Sequence, residues 1–140
     1  MSSMIDTITS VLTGDATLMS TLTGGIHRSE ISRQKTPGAY DAFQELLPSA
    51  VVKQETQSPF GPDDHTGRLF FVVWLYQQHG WDQIEAARKR IYELLQKVSL
   101  ATSEGGIYRI DHAGDLLEME DEALGVSMAQ SRFVATVKRT

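Results

Sequence analysis

Residues 68–77 read RLFFVVWLYQ, with eight consecutive apolar side chains from Leu69 to Tyr76. A short run rich in aromatic and β-branched residues is typical of a strand. Because side chains alternate between the two faces of a strand, both faces of this one are apolar and should be covered. We expect one face to pack on helices of its own chain and the other to meet a second subunit.

The clearest helix pattern follows at residues 82–98. Apolar side chains recur there at helical spacing, at Ile84, Ala87, Ile91, Leu94, Leu95 and Val98. This spacing gives the helix one apolar stripe. A second helix is predicted from a cap at Ser3 to Gly14, and Asp15 can cap a short following turn. The sequence thus predicts two main helices.

Further strands are predicted from alternation at residues 26–31, 50–57, 105–110 and 127–139. Residues 58–67 contain two prolines and two glycines and predict a long hairpin loop. A helical turn is expected at 40–47, and an acidic turn at 115–122. We interpret residues 1–140 as a single α+β domain. It is expected to have an antiparallel or mixed sheet of about four strands, two main helices on one face, and long loops or arms.

Composition excludes several classes of function. The 140 residues include no cysteine, which rules out disulfides, zinc–thiolate sites and a cysteine nucleophile. The net charge of −5 and the scattered lysines and arginines argue against DNA binding as the main role. The longest apolar run has eight residues, whereas a membrane-spanning helix needs about 20. We therefore expect no membrane partner.

No established catalytic or phosphate-binding motif is present, so we expect no enzyme activity, no cofactor and no catalytic residue. Two clusters leave an alternative open. Asp63, Asp64 and His65 stand together in a Pro/Gly-rich segment and could ligate a cation. The carboxylates from Asp115 to Glu122 could bind a divalent ion or act as an acid/base pair. We interpret both as solvated surface segments, and no metal site is predicted.

An aromatic group is the third feature with two interpretations. It consists of Phe70, Phe71, Trp74, Tyr76 and Trp81. Such a group can stack on bases or line a ligand pocket. More commonly it belongs to a core or a subunit interface, which is the interpretation adopted here.

Three pieces of the chain resemble the tail-completion and tail-terminator proteins of long-tailed bacteriophages. The first is the opening helix and turn, IDTITSVLTGDATL at residues 5–18, leading to Ile26-His27. The second is the apolar strand at 69–76 followed by the helix at 82–98. The third is the acidic segment followed by RFVATVKR at residues 132–139. The sequence departs from the family in having about twenty residues between Ile26-His27 and the next strand, and we interpret residues 28–47 as an arm.

The resemblance implies a structural virion protein in the neck of a tail, present in host cytoplasm during assembly. Such proteins form a homo-oligomeric ring, usually of six subunits, that caps the tail tube and offers the head-docking surface. The implied partners are the tail tube protein and the head–tail connector proteins, while DNA passes through the lumen without specific binding. One alternative is a head–tail connector of the same assembly. Another is a small metal-binding or ligand-binding protein.

Candidate interface residues follow from the predicted loop and arm, because binding residues are concentrated on loops. They form two groups. The arm contributes Arg28, Arg33, Lys35 and Tyr40, and the hairpin loop contributes Pro59, Phe60, Asp63, Asp64 and His65.

Overall fold

The computed structural model describes residues 4–32, 34–60, 63–102, 105–123 and 125–139, without the side chains of 57–60, 63–65 and 139. Its helices are α1 (Met4–Thr13), α2 (Ala16–Thr21) and α3 (Asp82–Leu95), with a 3₁₀ turn at Pro37–Ala39. Its strands are β1 (Ile26–His27), β2 (Ser49–Phe60), β3 (Asp63–Gln77), β4 (Leu100–Thr102), β5 (Gly105–Asp121) and β6 (Val126–Arg139).

Within these residues the six strands form one sheet in the order β1-β2-β3-β6-β5-β4. The β1–β2 pair is parallel, and the other pairs are antiparallel. Strand accounts for 47% of the chain, and the sheet curls into a half-barrel. The predicted fold class, a sheet of about four strands with two main helices on one face, is therefore wrong. The protein is a mostly β structure with only short helices.

Local sequence patterns missed the extra sheet for two reasons. Strand β4 has only three residues, too short for alternation to be visible, and the strand expected at 26–31 spans only Ile26–His27. Strands β2, β3 and β5 continue through polar segments that were predicted as a loop at 58–67 and an acidic turn at 115–122. The helical turn predicted at 40–47 is also wrong, since Tyr40 and Leu46 form an antiparallel bridge there.

Bulges in β5 contribute to the curl of the sheet. Its pairing with β6 shifts register three times, between Ile107 and Arg109, His112 and Gly114, and Leu116 and Met119. Each shift inserts one extra residue, which bends the strand and increases its twist. Gly114 and Glu118 have positive φ values of 142° and 51°, at or beside two of these bulges.

The main core lies between the three helices and one side of the sheet, which we call the helix face. Ile8, Leu12, Ile91 and Leu95 are fully buried there, and the ring of Phe71 stacks on another buried ring, that of Phe133, at 5.4 Å. Asp15 caps α2 as predicted, because its Oδ2 accepts a hydrogen bond from the Leu18 amide at 2.8 Å. The predicted Ser3 cap lies outside the described residues.

The segment between β1 and β2 packs on the opposite side of the sheet, which we call the open face. Its buried side chains Ile31, Ala39 and Leu46 form a second, smaller cluster with Val51 and Val126. Residues 28–47 thus cover part of the open face of their own sheet. No helix in the described part of the chain is long and apolar enough to cross a membrane.

Candidate assembly surface

The open face carries the even-numbered side chains of β3, namely Arg68, Phe70, Val72, Trp74 and Tyr76. The burial of these side chains differs along the strand. Trp74 and Tyr76 pack against the second cluster, whereas Phe70 is half-buried and Arg68 is exposed. The open face therefore has one end covered by residues 28–47 and one end exposed, and its exposed end is a candidate surface for another protein.

An ion pair spans the middle of the open face. Arg132 of β6 donates through Nη2 to both carboxylate oxygens of Glu55 of β2, at 2.9 and 2.8 Å. Because β3 lies between these two strands, the pair bridges over it, and Val72 beneath is only 1% exposed. A half-exposed pair of this kind contributes little to stability. Its main effect is to cover part of the apolar strand β3 with two charged, hydrogen-bonded side chains.

A groove of about 500 Å³ lies beside the covered end of the open face. Val51, Trp74, Tyr76 and Met128 provide its apolar lining. Four charged residues also line it, and they are Arg28, Glu30, Lys53 and Asp121. An apolar concavity with a few charged groups is the usual form of a binding site.

Neighbouring groups affect two of the ionisable residues of this groove, Tyr76 and Arg28. Burial and the negative charge of Asp121 raise the pKa of Tyr76 to about 12. The Tyr76 hydroxyl therefore stays protonated at neutral pH. Arg28 donates from Nε to the Val52 carbonyl at 3.1 Å and pairs through Nη1 with Asp6 of α1. Lys53 is exposed and, within the described residues, its side chain forms no ion pair.

A tight turn next to the groove presents a large apolar side chain to solvent. The carboxylate of Asp41 accepts hydrogen bonds from the amides of Phe43 at 2.8 Å and Glu45 at 3.0 Å. Its amide donates to the Glu45 carbonyl at 2.9 Å. A further hydrogen bond fixes the position of the turn, because the Leu46 amide donates to Gln78 Oε1 at 2.9 Å. Phe43 at its tip is 86% exposed.

The acidic segment considered for chemistry is split by the strand geometry. Asp115 points to the helix face, where it accepts hydrogen bonds from Ser131 at 2.7 Å and His112 at 2.8 Å and pairs with Arg88 at 3.1 Å. Burial raises the pKa of Asp115, but the hydrogen bonds from His112 and Ser131 together with nearby positive charge, including that of Arg88, lower it overall. Asp115 thus links α3 to the sheet. Among the described residues no cluster of acids and histidines is suited to hold a metal.

The aromatic group is divided in the same way. Phe71 belongs to the main core, Trp81 packs against that core, and Phe70, Trp74 and Tyr76 face the open side. Alternation along β3 therefore separates the residues that were considered together as one platform.

The predicted interface residues do not form one patch. Arg28 lines the groove, Tyr40 packs on the second cluster, and Lys35 is exposed near the start of the 3₁₀ turn. Arg33 lies outside the described residues, as do the side chains of Pro59, Phe60, Asp63, Asp64 and His65. The backbone of that second group ends the β2–β3 pairing, with Phe60 opposite Asp63. This lies about eight residues along β2 from the residue that Arg28 contacts, or roughly 26 Å.

Sequence reasoning missed Phe43, Glu45, Lys53 and Met128 as surface candidates. Phe43 lies in the segment predicted as a helical turn at 40–47, and Met128 lies in the strand predicted at 127–139. The sequence does contain one indication of the turn, which is Asp41 two residues before Phe43. Aspartate side chains often accept a hydrogen bond from the backbone amide two residues later. Aspartate is too common for this indication to identify a turn by itself.

Comparison with known proteins gives a fold but no family. No protein family model and no curated protein matches the chain by sequence. By structure the chain is similar to a protein in a solved structure described as the virion of a native gene transfer agent particle. The TM-score is 0.67, the match covers 97% of this chain and 95% of that chain, and the sequence identity is 14%. The likeness establishes a shared fold over nearly the full length of both chains.

Proposed function

We propose that this chain is a structural protein of a phage-like virion that acts by assembly rather than catalysis. The observation that carries the proposal is the fold shared over 97% of the chain with a component of a gene transfer agent virion. Fold alone does not determine function. The exposed end of the open face, the groove and the exposed Phe43 support the proposal, because they are surfaces of the kind that partners bury.

Within such a particle, we propose the role of tail terminator. The chain forms a ring, with six copies as the expected number, that caps the tail tube and provides the docking surface for the head. The sequence resemblance of the opening helix, the apolar strand and the closing strand supports this position. The net charge of −5 supports it too, since like charges let DNA pass a lumen without binding to its wall.

The test is deletion of the gene in the strain that produces the particles, followed by electron microscopy of tails and heads. Loss of a terminator leaves tails of abnormal length that do not join heads. Loss of a head–tail connector leaves tails of normal length beside unjoined heads, and that result would replace the terminator role with the connector role. Normal infectious particles would contradict the structural proposal altogether. Immunogold labelling of intact particles adds the position, with label expected in one cluster at the head–tail junction.

A further inference from the structure

We propose that Phe43 of one copy inserts into the groove over Trp74 of a neighbouring copy and forms the self-association contact of this protein. The inference rests on the proposed function in that a ring requires such a contact. It names the two surfaces that meet, the apolar turn tip at Phe43 and the groove beside residues 28–31.

The tip is built for insertion. Phe43 is 86% exposed, and a large exposed aromatic side chain is unfavourable in water. The hydrogen bonds that backbone amides of the turn donate to Asp41 and Gln78 hold it in one conformation, so little conformational entropy is lost when the tip binds. Rigid aromatic anchors of this kind dominate the energies of protein interfaces.

The groove matches the tip in size and chemistry. Its volume of about 500 Å³ has room for a phenyl ring, and Trp74, Tyr76 and Met128 offer aromatic and thioether contacts. The exposure of Phe43 shows that the turn does not fill the groove of its own copy. The Phe43 side chain of another copy can therefore enter it.

Charge complementarity selects a second copy as the occupant. Glu45 stands two residues from Phe43, is exposed, and makes no side-chain ion pair with the described residues. On the groove, Lys53 is the cation without a described partner, because Arg28 already pairs with Asp6. A tip seated with Glu45 toward Lys53 pairs both charges.

The geometry of such a contact suits a closed assembly. Tip and groove are different surfaces of the same molecule, so a copy that binds one neighbour through its tip keeps its groove available for another. A contact of this heterologous type generates a ring when the rotation closes.

The experiment measures self-association of the full chain by sedimentation velocity over a concentration series. Phe43→Ala is expected to weaken the association constant at least about tenfold, as for an aromatic anchor. Glu45→Lys and Lys53→Glu are each expected to weaken it, and the double variant to restore it to within about twofold of the wild type. Tyr92→Ala is the matched control, because Tyr92 is an exposed aromatic residue of α3, 43% exposed, on the opposite side of the sheet.

Circular dichroism spectra and melting curves show that each variant is folded. A wild type that stays monomeric at all concentrations, or a Phe43→Ala variant that associates like the wild type, would overturn the inference. An equal loss with Tyr92→Ala would overturn its specificity. The gene-deletion experiment decides the proposed function separately, so a ring built on another contact is distinguished from a protein that has no role in the particle.

Discussion

At the scale of single residues, Asp15 joins parts of the chain that are far apart in sequence. It caps α2 and also accepts two hydrogen bonds from Arg90 of α3, one from Nε at 2.9 Å and one from Nη2 at 2.7 Å. The hydrogen bonds from Arg90 and the Leu18 amide lower the pKa of Asp15 from 3.8 to about 2. The folded state therefore favours the ionised carboxylate.

This pKa shift predicts the pH dependence of Asp15→Asn. The folded pKa lies below the unfolded value, so the stabilisation by the carboxylate is fully present above about pH 4 and is lost as pH falls toward 2. Asparagine can still cap α2, so the substitution mainly removes the charge. We expect a melting temperature about 3 °C below wild type at pH 7 and a difference near zero at pH 2.

Thermal melts followed by circular dichroism at both pH values measure this difference. Glu93→Gln is the matched control. Glu93 pairs with the same Arg90 at 2.9 Å, but its side chain is 61% exposed, and we expect little change at either pH. If the melting temperature of Asp15→Asn lies below that of wild type by the same amount at pH 7 and pH 2, the stabilisation by the ionised carboxylate of Asp15 is contradicted.

Gln77 predicts a second effect at the residue scale. Its side chain is 7% exposed and its Oε1 accepts hydrogen bonds from the amides of Gln83 and Ile84, at 3.0 and 3.2 Å, in the first turn of α3. Gln77→Leu keeps the volume but leaves these amides without an acceptor. We expect unfolding to become about 1–3 kcal/mol easier, measured by urea denaturation.

Gln83→Ala is the control for that measurement, since this side chain is exposed and its amide is kept. Equal stability of Gln77→Leu and wild type would show that water replaces the lost acceptor. The sequence allowed the Asp15 cap to be predicted, because capping is local. It did not indicate Gln77 or the Arg90 partner, because those contacts depend on how α3 packs on the sheet.

At the scale of elements, the best prediction from sequence was the central strand β3, whose two apolar faces require cover on both sides. Helix α3 was also located, with its end at Leu95 rather than Val98. The sequence predicted that strand β5 ends at Ile110, whereas in the structure it continues to Asp121. Its acidic half suits a strand because most of these side chains are exposed and the bulges interrupt the alternation that a pattern search requires.

The segment at 28–47 could not be predicted as a cover for the sheet. Its buried residues Ile31, Ala39 and Leu46 have no helical or strand period, so only the tertiary structure brings them together. This arrangement predicts the effect of Ile31→Ala. Ile31 is 3% exposed, and its truncation is expected to cost about 2–3 kcal/mol, at the low end for buried isoleucine.

Urea denaturation measures that cost, and Gln34→Ala in the same segment is the matched control. Because Gln34 is exposed, its loss is expected to change the free energy of unfolding by less than about 0.5 kcal/mol. A similar small change for Ile31→Ala would mean that the segment does not cover the open face in solution.

At the scale of the whole molecule, the sheet has one face for its own helices and one face that is partly left for others. The doubly apolar β3 predicted this division, with a second subunit on the far face. The structure revises the detail, because residues 28–47 already occupy one end of that face. Which surface remains for a partner depends on the path of an unpatterned segment, and that path is not encoded in local periodicity.

The charge distribution of the open face gives a last prediction, that the protein does not bind duplex DNA. Arg132 and Arg109 on this face are paired with Glu55 and Asp111, at 2.8 Å in each case. Lys53 has no such partner in the described part of the chain, but it shares its groove with two acids, Glu30 and Asp121. Binding to phosphates requires unneutralised cations whose counterions are released. With a net charge of −5, we expect no retention of duplex DNA at about 150 mM salt in an electrophoretic mobility assay.

Glu55→Lys provides the matched positive variant for this assay. It removes the partner of Arg132 and places a new cation beside Lys53, so the same face becomes strongly basic. We expect this variant to retain DNA at low salt and to lose it as salt rises, because its binding is electrostatic. Salt-dependent binding by the wild type at micromolar concentration would instead mean that the open face contacts nucleic acid directly, and a lumen that DNA traverses without binding would have to be lined by another surface.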